Sequence, residues 1–137
     1  MDKATGRFII VDDDPLSIMV TETYIRKASK QSEIRSFTFG AFALKYLEEE
    51  YKNIPENIST LLLLDLYMPM MNGFEFLEHF EKLPIIKAKI KIVTLSVLLD
   101  KQEKQKVMQY PHVTEYYAKP ITREVLNDLI AKNGFFV

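Results

Sequence analysis

The chain contains no cysteine, which removes disulfide frameworks, thiolate metal sites and thiol catalysis in one step. It has only two histidines, His79 and His112, too few for most histidine-rich metal sites and both read as surface residues. Nor is there an excess of either charge. With 18 basic and 19 acidic residues the formal net charge is -1, so nothing draws the protein to a polyanion and direct nucleic-acid binding is not expected. Long apolar runs are missing too: Leu61 to Leu64 is of strand length, well short of a membrane span. The polar lead from Met1 to Arg7, with few apolar residues before three aspartates, is too brief for a secretory signal. No glycine-rich phosphate loop follows the first apolar run. These absences leave a cytoplasmic protein, with no membrane association, as the expectation.

What is present is the balance of a folded domain. Hydrophobic residues make up 47% of the 137 and charged residues 27%, which suits one globular unit. A single domain over residues 1–137 is expected, with a core from about 7 to 133 and no output domain.

Short apolar runs alternate with longer amphipathic stretches. Phe8 to Val11 predicts a buried strand, and Asp14-Pro15 an N-cap with a first-turn proline. The helix that follows would turn Leu16, Met19, Val20, Thr23 and Ile25 inward. A second strand is predicted over 34–39, then a helix from Gly40 with Phe42, Ala43, Tyr46 and Leu47 inside. Thr60 to Leu64 forms the third strand, ending at Asp65, and Phe74, Leu77 and Phe80 mark the next helix. Residues 90–95 and 113–118 give two more strands, separated by a polar helix over 101–110. Thr122 caps a last helix carrying Val125, Leu126, Leu129 and Ile130. Five strands alternating with five helices predict an α/β fold, a doubly wound parallel sheet covered on both faces. Right-handed crossovers place all the strand carboxyl ends on one edge, where such sheets bind ligands.

The chemistry-bearing residues fall on that edge. Asp12 and Asp13 follow the first strand, and Asp65 the third. Either cluster alone reads equally well as a cap or a turn; together they converge and repel. A hard divalent cation, Mg²⁺ with Mn²⁺ as an alternative, would relieve the repulsion through oxygen ligands alone. Asp65, rigidly aimed behind four leucines, is suited to attack phosphorus and form an aspartyl phosphate. Lys119-Pro120 closes the fifth strand and Ser96 the fourth. Each is ordinary by itself, yet a lysine there can reach the pocket and a hydroxyl there can donate to a phosphoryl oxygen.

These residues resemble the receiver domain of two-component response regulators. Val11-Asp12-Asp13-Asp14-Pro15 is similar to the family's acidic pair, and Asp65 to Gly73 follows its acceptor-loop pattern D-x-x-M-P-x-M-x-G. The resemblance covers the chain from about Arg7 to the last helix. It implies a flavodoxin-like (βα)5 fold with strand order 2-1-3-4-5. It also implies that Asp13, Asp65 and the Tyr67 backbone carbonyl ligate Mg²⁺, with Asp12 acting mainly through water. Asp65 would be the phosphoacceptor, fed by a sensor histidine kinase or a histidine phosphotransfer protein. Lys119 and Ser96 would assist, with Ser96 and Tyr116 as the switch pair. A downstream protein would bind at about residues 100–133. Tyr67, Val97 and Leu98 occupy positions that modulate access, and their bulk predicts slow self-dephosphorylation. The competing expectation, a phosphorylation-independent interaction module, would need a broken acidic site. A turnover phosphatase would need an acid two residues after Asp65, where Tyr67 stands.

Overall fold

Alternation in the strands decides where everything else sits. In a computed structural model of the chain, which describes residues 5–55 and 57–134, the strands are β1 (Thr5–Val11), β2 (Glu33–Phe37), β3 (Ile58–Asp65), β4 (Ile90–Ser96) and β5 (Val113–Ala118). They form one parallel sheet in the order β2-β1-β3-β4-β5. The helices are α1 (Pro15–Ala28), α2 (Gly40–Glu50), α3 (Gly73–Lys82), α4 (Lys101–Met108) and α5 (Arg123–Lys132). The fold expected from the sequence is the fold observed. No helix among the described residues is long and apolar enough to cross a membrane.

Side chains of period two divide the interior into two cores. Ile9, Val11, Leu62 and Leu64 face one side, against Ala43, Leu47, Phe76 and Phe80 of α2 and α3. Phe8, Ile10, Leu61 and Leu63 face the other, against Ile25 of α1 and Leu126 and Leu129 of α5. The run Leu61 to Leu64 therefore feeds both cores in turn. Buried on both faces, β3 reads as unbroken hydrophobicity, as the centre of a parallel sheet must.

Caps set the helix starts. Asp14 accepts from the Leu16 amide at 3.0 Å and Pro15 follows, as the sequence predicts. Asn72, expected only as a loop breaker, forms a capping box with Glu75, its side chain accepting from the Glu75 amide at 2.9 Å. Thr122 accepts from the Val125 amide at 3.2 Å.

Two inward faces differ from expectation. Leu16, Met19 and Val20 are exposed at 61%, 57% and 40%, and Thr23 is exposed; Thr21 and Ile25 are the buried residues of α1. α1 carries two overlapping apolar stripes, and packing on Phe8 and Ile10 selects the one through Ile18 and Ile25. Phe42 of α2 is also exposed and packs edge-on against Phe39, with Leu44 buried in its place. His79 is exposed as expected, but His112 is half-buried, with its ring edge-on to Phe80 at 5.6 Å. The lysines of 87–91 are partly tied down: Lys87 donates to the Glu81 carbonyl at 2.8 Å and Lys91 to Asn133 at 2.9 Å.

Candidate functional site

The carboxyl ends of β1, β3 and β5 bring four charged groups together. Asp12, Asp13 and Asp65 each offer an oxygen within 4.8 Å of the others, the only such acid cluster among the described residues. Lys119 crosses from the end of β5 and donates to Asp12 Oδ1 at 3.0 Å and Asp65 Oδ2 at 2.9 Å. The Lys119–Pro120 bond is cis. Asp12 and Asp65 are buried, and Asp13 is the more open acid.

Local structure fixes each group. The Asp14 amide donates to Asp12 Oδ1 at 3.0 Å, so the turn that starts α1 also orients Asp12. Asp65 Oδ1 accepts from the Tyr67 amide at 3.2 Å. The loop after Asp65 is drawn shut by the Gly73 amide, which donates to the Leu66 carbonyl at 2.9 Å. Only glycine fits there. A Cβ at residue 73 would lie 2.7 Å from the Leu66 Cα and 3.0 Å from the Asp65 carbonyl oxygen.

The electrostatics are unbalanced. Burial pushes the Asp65 carboxyl above its usual range, and the Lys119 ammonium and the Tyr67 amide pull it only part of the way back. Burial works against the charge on Lys119 too, but its hydrogen bonds to Asp65 and Asp12 outweigh burial and raise its pKa. One cation therefore stands against three carboxylates. The donor set is oxygen only, and its residual negative charge fits a hard divalent ion such as Mg²⁺. A cavity of about 210 Å³ opens beside Asp12 and Lys119, walled by Leu16, Val20 and Ile121. A larger, mostly apolar cavity of about 410 Å³ lies at the other end of the sheet, by Tyr51 and Ile90, remote from these acids.

Of the remaining sequence-predicted residues, Tyr67 and Tyr116 meet at Glu103, whereas Ser96, Val97 and Leu98 follow one another at the end of β4. Ser96 is fully buried at the end of β4, and its Oγ accepts from the Leu98 amide at 3.1 Å. The Tyr116 hydroxyl donates to Glu103 Oε1 at 2.5 Å and accepts from the Asp100 amide at 2.8 Å. The Tyr67 hydroxyl donates to Glu103 Oε2. That bond, with burial behind it, pushes the Tyr67 phenol up to about 12. Val97 and Leu98 are exposed, at 66% and 63%, and Tyr67 is 44% exposed.

Glu103 is the residue that sequence reasoning missed. It lies in a run of lysines and glutamines that reads as a solvated face, and its partners come from 36 residues before it and 13 after. The one available signal was Glu103 and Val107 at i, i+4 on an otherwise polar helix.

The response regulator receiver domain family matches residues 8–131, and the chain belongs to it. Members are phosphorylation-controlled switches of two-component systems, signalling modules that bind phosphodonors such as histidine kinases, not turnover enzymes. Among solved structures, a response regulator receiver protein from Dyadobacter fermentans is 30% identical with a TM-score of 0.79, covering 94% of this chain and 98% of that one. A two-component response regulator from Cytophaga hutchinsonii is 29% identical with a TM-score of 0.78, covering 96% and 98%. A two-component response regulator of rice (Oryza sativa subsp. indica) is 29% identical over 123 residues, 90% of this chain but 16% of that protein. The chain thus spans a small part of the length of such curated relatives.

Proposed function

We propose that Asp65 is the phosphoacceptor of this receiver, taking a phosphoryl group from a phosphohistidine with Mg²⁺ bound beside it. The observation that carries this is the unmatched acid pocket: Asp12, Asp13 and Asp65 within 4.8 Å, with Lys119 bridging two of them. In the transfer an Asp65 carboxylate oxygen forms a bond to phosphorus while the phosphorus–nitrogen bond breaks, its electron pair leaving on the imidazole. Asp12, Asp13, Asp65 and the Tyr67 carbonyl would hold the ion, and Mn²⁺ would substitute. When bound, the ion supplies positive charge to the phosphoryl oxygens. Lys119 shares that task and holds Asp65 in line. Ser96 then donates its hydroxyl to the phosphoryl group, and Tyr116 follows as the aromatic half of the switch.

The phosphodonor is a sensor histidine kinase or a histidine phosphotransfer protein, and a cytoplasmic location is part of the same proposal. The downstream partner reads α4, β5 and α5, about residues 100–133. Tyr67, Val97 and Leu98 crowd the approach of water, so the phosphorylated state is long-lived. The intact acid set speaks against a phosphorylation-independent module.

The test is incubation with acetyl phosphate and Mg²⁺ followed by intact mass. One phosphoryl mass is expected in the wild type and none in Asp65→Asn. A gain that survives the substitution would refute the assignment.

A further inference from the structure

α4 is a polar helix, yet it turns a carboxyl group inward. Glu103 is 7% exposed and shares the inner face with Val107. A leucine or methionine would fill that place without the cost of burying a carboxyl, so its bonds point to a task beyond packing. Each of its oxygens takes one phenol. Tyr116 of β5 donates to Oε1 at 2.5 Å, and Tyr67, from the loop after β3, donates to Oε2. β4 lies between β3 and β5 in the sheet, so one carboxyl joins elements two strands apart.

The two ends of this bridge differ in what they hold. Tyr67 is the end that reaches the acid pocket, because its own amide donates to Asp65 Oδ1 at 3.2 Å. Lys119 holds the other oxygen, Oδ2, at 2.9 Å. Tyr67 is thus fixed at two points, by its amide at Asp65 and by its hydroxyl at α4. The ring between them is 44% exposed and meets Phe74 edge-on at 6.4 Å. A ring so open keeps rotamer freedom unless a bond removes it. At the other end the Tyr116 hydroxyl also accepts from the amide of Asp100, the N-cap residue of α4, at 2.8 Å. Asp100 Oδ2 in turn accepts from the Glu103 amide at 3.1 Å. Tyr116 and the first turn of α4 are therefore tied to the carboxyl that holds Tyr67.

We infer that Glu103 is a positioning residue for the phosphoacceptor, holding Tyr67 so that its amide aims Asp65, and yoking that aim to Tyr116 and the start of α4. This rests on Asp65 being the acceptor. A nucleophile misplaced by about 1 Å loses about a hundredfold in rate, so a group that steadies its aim matters without touching the phosphate. Displacement of Tyr116 or of α4, as by a protein bound to that face, reaches Asp65 through the same carboxyl.

Glu103→Gln keeps one accepting oxygen and Glu103→Met keeps none. Phosphorylation by acetyl phosphate with Mg²⁺ should slow about threefold in the first and about tenfold in the second, the scale of one hydrogen bond weakened and then lost. The loss should fall on the maximal rate, with half-saturation by acetyl phosphate unchanged. In a Tyr67→Phe background, itself slowed, neither substitution should slow the reaction further. A glutamate serving only the fold would slow both backgrounds alike. Equal slowing in both, or wild-type rates per folded molecule, would overturn the inference, and Glu103→Gln carries the test if Glu103→Met does not fold. A second measurement needs no phosphate. The Tyr67 amide signal in NMR should shift in Glu103→Gln and in Tyr116→Phe. An unmoved signal in the first would overturn the hold on Tyr67, and in the second the link to Tyr116. If the wild type takes up no phosphoryl mass, the acceptor reading has failed by itself, and the amide signal alone decides the yoke.

Discussion

Two cations, Arg7 buried and Lys119 half-buried, stand at opposite ends of the same sheet, and their company differs. At the amino end Arg7 is 7% exposed, 2.8 Å from Glu33, and donates to the Tyr51 hydroxyl at 3.3 Å. Tyr51 pairs in turn with Thr60 at 2.6 Å, and the guanidinium lies 6.0 and 5.6 Å from the Tyr46 and Tyr51 ring centres. One cation meets one carboxylate, with aromatic walls. At the carboxyl end Lys119 meets Asp12 and Asp65 with Asp13 beside them. The matched pair is self-sufficient and holds strands together. The unmatched set retains negative charge, and that surplus lets it bind something else.

The comparison can be broken from either end. Lys119→Met should lower the initial rate of phosphorylation on Asp65 by at least about a hundredfold, the scale of losing one preorganised donor to a developing anion. A near-wild-type rate of mass gain would erase the distinction between the two ends. Arg7→Leu should leave that rate intact per folded molecule. It should cost about 2 kcal/mol of unfolding free energy in urea titrations, less than for a fully enclosed pair because Glu33 is 38% open. Asp13→Asn should act the other way. Without divalent ions it relieves repulsion and should stabilise by about 1 kcal/mol. As Mg²⁺ is raised the order should invert, because the wild type gains binding free energy that the variant gives up. Thermal melts with and without Mg²⁺ decide it, and a destabilised ion-free variant would mean that the acids are not in conflict.

Much of this was legible in the residues. Strand ends announce themselves where apolar runs stop at aspartate, so the sequence alone puts Asp12 and Asp65 on one edge. Lys119 followed from a β-rich run closed by proline. What escaped depends on phase and distance. Periodicity puts Leu16, Met19 and Val20 on one stripe of α1 but cannot say whether that stripe or the one through Ile18 and Ile25 meets the sheet. Only Phe8, Ile10 and α5 settle it. Glu103 escaped for a related reason. Its meaning lies in Tyr67 and Tyr116, and no local pattern ties one glutamate among lysines to two tyrosines across the sheet edge.

The leucines ahead of Asp65 alternate between the two cores, and this constrains where news can travel. A strand wedged between two packed layers cannot slide or roll without disturbing both, so β3 is a poor messenger along its own length. Whatever happens at Asp65 must leave sideways, through the loop that carries Tyr67 and the end of β4 that carries Ser96. The far end of the sheet, with Arg7 and its aromatic walls, is insulated from the event.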